Sequence, residues 1–96
     1  MTLQQLIYVI SLDDEKSFVK AAEACFVTQP TLSQQIQKLE EELDVIIFDR
    51  SKQPIEATTI GREIIDQARK VLKESDNIKS IVGEMRGEIS GRVRLG

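Results

Sequence analysis

Apolar residues recur along this chain at helical spacing, interrupted by short polar breaks that mark where each element starts. Leu3, Leu6, Ile7 and Ile10 follow at three- and four-residue intervals, the period of one face of a helix. Thr2 with Gln5 three positions later is a capping-box pair, so a first helix is predicted from there to about Leu12, with Asp13-Asp14-Glu15-Lys16 as a charged turn. Ser17 is a natural N-cap for a second helix whose apolar face is Phe18, Ala21, Ala22 and Cys25. After Phe26-Val27 come Thr28-Gln29-Pro30, a hydroxyl cap and a proline in the first turn, where its missing N–H costs nothing. Leu32, Ile36, Leu39 and Leu43 carry a third helix forward.

The acidic run Glu40-Glu41-Glu42 lies at the wrong end of that third helix for its dipole. It reads as a solvated run, with burial of Leu39 and Leu43 left to hold the helix end. Ile46-Ile47-Phe48 and Ile55 then flank Ser51-Lys52-Gln53-Pro54, and β-rich runs on either side of such a turn predict a hairpin, with Pro54 placing its second strand at an edge. From Thr59 the pattern changes. Ile64, Ala68, Val71, Ser75, Ile78, Val82 and Met85 are spaced alternately by four and three, a heptad seam with Leu72 beside it. Capped by Thr58 or Thr59, this predicts a helix over 59–87, about 40 Å long. No element in residues 1–58 is long enough to cover the seam, so it calls for a partner helix, and a second copy of the chain is the natural one. Beyond it, Gly87 and Gly91 punctuate a stretch ending Arg92-Val93-Arg94-Leu95. Residues 88–96 thus read as a hinge and the opening strand of a further domain.

Composition narrows the function. The chain has 96 residues, one cysteine and no histidine. Cys25 has no partner for an internal disulfide and sits on an apolar stripe, so core packing in a reducing compartment is expected, and the cytoplasm fits. Without histidine the commonest general base and metal ligand is missing. The carboxylates form no ligand-spaced cluster and none pairs with a nucleophile. No enzyme, metal or cofactor is expected, and no segment has the roughly 20 apolar residues of a membrane span.

Charge complicates the choice of partner. The sum is −3, opposite to a simple nucleic-acid binder. Residues 1–58 carry five basic against ten acidic side chains, and residues 59–96 eight against six. Yet Ala24 to Leu39 contains no acid. On a helical wheel Pro30, Gln34 and Gln37 lie opposite the Leu32–Ile36–Leu39 stripe, flanked by Thr31 and Ser33. Gln, Ser and Thr can bond base edges, and the free N–H groups of a helix N-terminus suit phosphate. Arg50 to Ile55 is a second acid-free patch, containing Arg50 and Lys52. Phe18–Cys25 followed by Thr28–Leu43 therefore outlines either a DNA-binding helix-turn-helix or a plain helical hairpin serving as a protein-interaction module.

The run from Phe18 to Leu43, with Ala21-Ala22, Thr28-Gln29-Pro30-Thr31-Leu32-Ser33, Gln35-Ile36, Leu39-Glu40 and Leu43 at its heart, resembles the N-terminal region of LysR-type transcriptional regulators. Ile47-Phe48-Asp49-Arg50 and Thr58-Thr59-Ile60-Gly61 extend the likeness through nearly the whole chain. Ala22-Glu23-Ala24-Cys25, Asp66-Gln67-Ala68-Arg69 and Gly87-Glu88-Ile89-Ser90-Gly91 are similar to the peroxide-sensing members of that family. The resemblance implies a mainly α fold: a winged helix-turn-helix over 1–58, of three helices and a β-hairpin wing, then a dimerising linker helix. It also implies a C-terminal effector domain and a palindromic DNA site bound as a dimer or tetramer. By the family pattern Gln29, Pro30, Thr31, Ser33 and Gln34 approach bases. Thr28, Lys38, Arg50, Ser51, Lys52 and Gln53 meet the backbone, and Ile64, Ala68, Val71, Leu72, Ser75, Ile78, Val82 and Met85 form the dimer seam. Gln34 stands where many members carry Arg, Gln53-Pro54 replaces a basic pair at the wing tip, and Ile60 replaces a usual Ala. Fewer ionic contacts with DNA are implied.

Overall fold

The computed structural model describes residues 1–90, with side chains through residue 86. Helix α1 (Leu3–Glu15) opens on the predicted capping box: the Gln5 amide donates to Thr2 Oγ1, and the Thr2 amide to Gln5 Oε1. It runs three residues past the expected end at Leu12. Asp13, Asp14 and Glu15 are helical rather than a turn, and Lys16 closes the helix in the left-handed region, its N–H donating to the Leu12 carbonyl at 2.9 Å. The cause is distant in sequence. Asp13 is drawn inward by arginines from the last helix, so one carboxylate of a charged cluster that looks like a turn is buried while Asp14, Glu15 and Lys16 stay exposed.

Helix α2 (Phe18–Ala24) starts on the Ser17 cap, and α3 (Gln29–Leu43) on Thr28, whose side chain accepts the Thr31 amide. Ala21 and Ala22 are buried, while Phe18 and Cys25 pack at the rim of the core. On α3 the apolar stripe is buried as expected, with Leu32, Ile36 and Leu39 fully enclosed. Asp44 ends α3 in the left-handed region. The hairpin is shorter and later than its apolar runs suggest. Strands β1 (Phe48–Asp49) and β2 (Glu56–Ala57) pair antiparallel, Phe48 opposite Ala57. Ile47 and Ile55 lie outside the ladder, both buried in the core; the Gln53–Pro54 peptide between the strands is cis.

Helix α4 (Thr59–Ser90) is one unbroken rod of 32 residues, about 48 Å at 1.5 Å per residue. It passes the predicted end at residue 87 without a break. The expected strand over 92–95 lies outside the described residues. Its first turn is seated on the wing. The Thr58 N–H donates to the Ile47 carbonyl at 2.9 Å, and the Gly61 N–H donates to Thr58 Oγ1 at 2.9 Å. A Cβ on Gly61 would stand 2.0 Å from the Ile47 carbonyl oxygen, closer than any side chain allows, so glycine is required here for close approach rather than for turning. Ile65 and Ala68 complete the same core as α1, α2, α3 and the hairpin. Part of the seam thus has a cover within the chain: Ile64, Ala68 and Val71 line an apolar groove of about 370 Å³ together with Leu3, Leu6 and Leu43. The expectation that nothing in residues 1–58 could cover the seam is corrected for this first stretch.

Candidate nucleic-acid interface

The N-terminal half of α3 is presented to solvent on the face opposite the core. Gln29, Pro30, Thr31, Gln34, Gln37 and Lys38 are exposed and Ser33 is half-buried. Hydrogen bonding sorts these groups further. Thr28 Oγ1 accepts the Thr31 amide at 3.3 Å and donates to Thr31 Oγ1 at 2.8 Å. The Leu32 amide goes to the Thr28 carbonyl. Among the described residues no acceptor takes the Gln29 N–H, and Pro30 has none to give. That leaves one backbone donor at the positive end of the α3 dipole, beside the free carboxamides of Gln29, Gln34 and Gln37. The nearest acids along the chain are Glu23 and Glu40.

Glu40 is where the sequence reading needs correcting. It is buried, not part of a solvated run. Its Oε2 accepts the Ile47 amide at 2.8 Å and the Phe48 amide at 3.3 Å, while Oε1 takes Arg50 Nη1 at 3.0 Å. A buried carboxylate is tolerated when its lone pairs are met by donors, and here three donors meet it. Glu40 thereby ties the end of α3 to the first wing strand, a stronger anchor for that end than Leu43, which is half-buried. A helical wheel carries the signal: at 100° per residue Glu40 falls about 80° from Leu32, on the shoulder of the apolar stripe, whereas Glu41 falls about 180° away.

The wing residues divide in the same way. Arg50 bonds Glu40, and its guanidinium lies 5.6 Å from the centre of the Phe18 ring, so it braces the wing against α2 and α3. Its remaining N–H groups stay at a half-exposed surface. The Ser51 amide and hydroxyl both donate to Asp49 Oδ1, which holds the Asp49 carboxyl below the usual carboxylate range. Lys52 and Gln53 are exposed at the tip. An open cleft of about 600 Å³ separates α3 from the wing base, lined by Ser33, Gln37, Glu40, Glu41 and Asp44 along α3 and its C-cap, and by Val45, Ile46 and Arg50 beyond it. Those carboxylates make the cleft floor unfavourable for phosphate and leave the outer face of α3 and the wing tip as the anion-compatible surfaces.

The seam residues split along α4. Ile64, Val71, Leu72 and Ser75 are half-buried and Ala68 is buried, while Ile78, Val82 and Met85 are exposed. Ile81, which the heptad reading omits, is exposed beside them. Among the described residues no helix is long and apolar enough to cross a membrane, and no group of His, Cys, Asp and Glu could hold a metal ion.

Residues 3–62, which hold the first three helices, the wing and the first turn of α4, match the family model of the bacterial regulatory helix-turn-helix proteins of the lysR family. The chain belongs to that family. Within it, the hydrogen peroxide-inducible genes activator of Haemophilus influenzae is 38% identical over 96 residues, covering all of this chain and 32% of that protein. The DNA-binding transcriptional dual regulator OxyR of Escherichia coli has the same identity and coverage, so the chain spans about a third of the length of these curated relatives. Among solved structures, a full-length OxyR variant from Pseudomonas aeruginosa is 45% identical with a TM-score of 0.83, over 88% of this chain and 28% of that one. The DNA-binding domain of BenM, solved in complex with catB site 1 DNA, is 35% identical with a TM-score of 0.87, over 92% of this chain and 95% of that one.

Proposed function

We propose that this chain is the sequence-specific DNA-binding domain of a bacterial transcription regulator of the LysR family, acting on double-stranded DNA in the cytoplasm. The observation that carries this reading is the acid-free outer face of α3. In a half-chain with twice as many acids as bases, the exposed residues from Thr28 to Lys38 are neutral or basic, and the exposed Gln29 has an N–H that no described residue accepts. Such a face can enter a major groove without like-charge repulsion, and the BenM domain solved on DNA has the same fold. Gln29, Thr31, Ser33 and Gln34 then read base edges, Pro30 packs beside them, and Lys38, Lys52 and Gln53 meet the backbone. Thr28, Arg50 and Ser51, already bonded within the chain, serve mainly to place their neighbours.

The functional unit in this reading is a homodimer. Two α4 helices pair antiparallel through Ile78, Ile81, Val82 and Met85 and present two recognition helices to a palindrome. The longer protein, divided after residue 58 and again after residue 87, assembles as a dimer or tetramer. Like its relatives named for peroxide-inducible genes, it serves a peroxide response whose chemistry lies outside Cys25, a residue packed against the core.

Binding to a palindromic duplex tests this. Gln29→Ala is expected to weaken the cognate site by about 1–3 kcal/mol and a scrambled duplex hardly at all. With Lys38 and Lys52 of two subunits neutralising four phosphates, the log–log salt slope is about −4; engagement of Arg50 as well makes it about −5. Absence of duplex binding at low salt, with the dimer intact, hands the chain to the protein-interaction reading.

A further inference from the structure

Asp13 lies far from the α3 surface, yet it gathers the densest set of ionic contacts described in the molecule. Its side chain is 6% exposed, and Arg62 grips it with both ends of the guanidinium fork: Nη2 to Oδ1 at 2.6 Å and Nη1 to Oδ2 at 3.1 Å. Arg69 Nη2 reaches Asp13 Oδ2 at 2.9 Å and Asp14 Oδ1 at 2.7 Å, and Lys16 Nζ adds a contact at 3.2 Å. Asp66 stands 3.8 Å from Arg62 on its outer side. Both arginines come from α4, so one carboxylate at the end of α1 holds the linker helix at two places two helical turns apart, about 10 Å along its axis.

Two anchors along an axis define a direction, which apolar packing does not. Ile65 and Ala68 set how deeply α4 sits, but hydrophobic contact is non-directional, whereas a bidentate guanidinium–carboxylate pair has a fixed plane and bearing. From Arg62 to Val82, in the exposed apolar stretch, is about 30 Å of rod. A swivel of about 7° at the base therefore moves that stretch by about 3.7 Å, more than the 3.4 Å rise of one base step.

We propose that Asp13 is a positioning residue for DNA recognition: through Arg62 and Arg69 it sets the angle between α4 and the winged domain, and with it the half-site spacing that the dimer accepts. The inference rests on the dimeric DNA-binding reading above. It assigns a specificity role to residues outside the α3 face and the wing tip.

The experiment uses the 96-residue chain and a palindrome selected from a randomised duplex pool, then rebuilt with its spacer lengthened or shortened by one and two base pairs. For the unaltered chain each single-base-pair change is expected to lower affinity about tenfold or more. In Asp13→Asn and Arg62→Gln the loss falls to about threefold or less, while affinity for an isolated half-site stays within about twofold and sedimentation equilibrium still gives a dimer. Arg62→Lys keeps the charge without the fork and falls between. If the variants keep the tenfold discrimination while losing only thermal stability, the network is structural and the proposal fails. A dimeric parent chain with no spacer preference also overturns it. A parent chain that is monomeric or binds no duplex defeats the underlying dimer reading instead, and does so before any variant is made. Should Asp13→Asn fail to fold, Arg62→Gln decides alone, since that side chain is 45% exposed and its loss leaves no cavity in the core.

Discussion

Ile64 and Ile78 are the same residue at equivalent positions of one heptad seam on the same helix, yet Ile64 is half-buried and Ile78 is 65% exposed. The proximal part of α4 rests on α1 and on the wing, and is bound there by Asp13 and by the close seat of Gly61 on Ile47. The distal part, with Ile78, Ile81, Val82 and Met85, is left exposed by the described residues. One heptad pattern runs through both. Periodicity therefore reports that a face is apolar, and it is blind to whether the cover comes from the same chain or from another. The proximal half takes its stability from folding, and in the dimer proposed above the distal half takes its stability from association.

The proximal half offers the largest effects on folding. Ile65→Ala is expected to cost about 3 kcal/mol in denaturant unfolding, the transfer and cavity cost of a fully buried side chain. Ile78→Ala measured below the dimer dissociation constant should cost less than about 0.5 kcal/mol, as for an exposed position. Equal losses would erase the distinction. Gly61→Ala should destabilise by about 2–3 kcal/mol through backbone overlap with the Ile47 carbonyl. Association reverses the ranking. Ile78→Asp places a charge on each side of a two-fold contact, and dimer dissociation is expected to rise at least about a hundredfold, some 2.7 kcal/mol. The thermal midpoint of the monomer should stay put, and the palindrome affinity should fall with the dimer. A variant that remains dimeric by sedimentation would mean that the contact lies elsewhere on α4.

The proximal anchor also has a pH signature that the distal half lacks. Hydrogen bonds from Arg62, then from Arg69 and Lys16, hold the Asp13 carboxyl well below the usual carboxylate range, against the opposing effect of its burial. A carboxyl whose folded pKa lies below its unfolded value near 3.9 adds stability that is complete above about pH 5 and is lost as the pH falls further. The stability gap between the parent chain and Asp13→Asn should therefore be widest near neutral pH and shrink from about pH 5 to pH 3. The charged groups facing the site are Arg62, Arg69, Lys16, Asp14 and Asp66; a gap independent of pH would show that packing, not charge, holds the anchor. A small effect of the opposite sign is expected at Gly83, where an added Cβ meets nothing within 4 Å. Gly83→Ala should stabilise the distal helix by about 0.5–1 kcal/mol, opposite in sign to the same change at Gly61.

What could be read from the chain in advance follows the same division between local and distant causes. Thr2, Ser17 and Thr28 announce their helices because a cap is a contact within a few residues, and Leu32, Ile36 and Leu39 announce the buried face of α3 because its period is local. The exposed set on α3, from Gln29 to Lys38, follows from that face by subtraction. Asp13 could not be read this way, and for Glu40 the period gives only its place on the shoulder of the apolar stripe, not its donors. Their partners arrive from another helix or from the wing, and a carboxylate in a polar run looks solvated until its donors are placed. The hydroxyls of Thr28 and Ser51 and the guanidinium of Arg50 are of the right type for a DNA surface; only the fold reveals that each is already engaged. Three chain reversals were also hidden, since Lys16, Phe26 and Asp44 adopt positive φ where glycine is the usual signal.

Of those three, Phe26 is the most unusual: an aromatic ring at φ 59° in the turn before the recognition helix, 95% exposed. The chain has no tryptophan, and its single tyrosine, Tyr8, is buried in the core. Phe26→Trp would therefore install the protein's sole indole two residues from the Thr28 cap, fully hydrated and unable to quench against its own domain. Its emission would begin near that of the free chromophore in water and shift to the blue when a duplex closed over the turn. An indole in place of that bare ring thus converts the start of α3 into a place where occupancy can be watched by light, in real time and without a label.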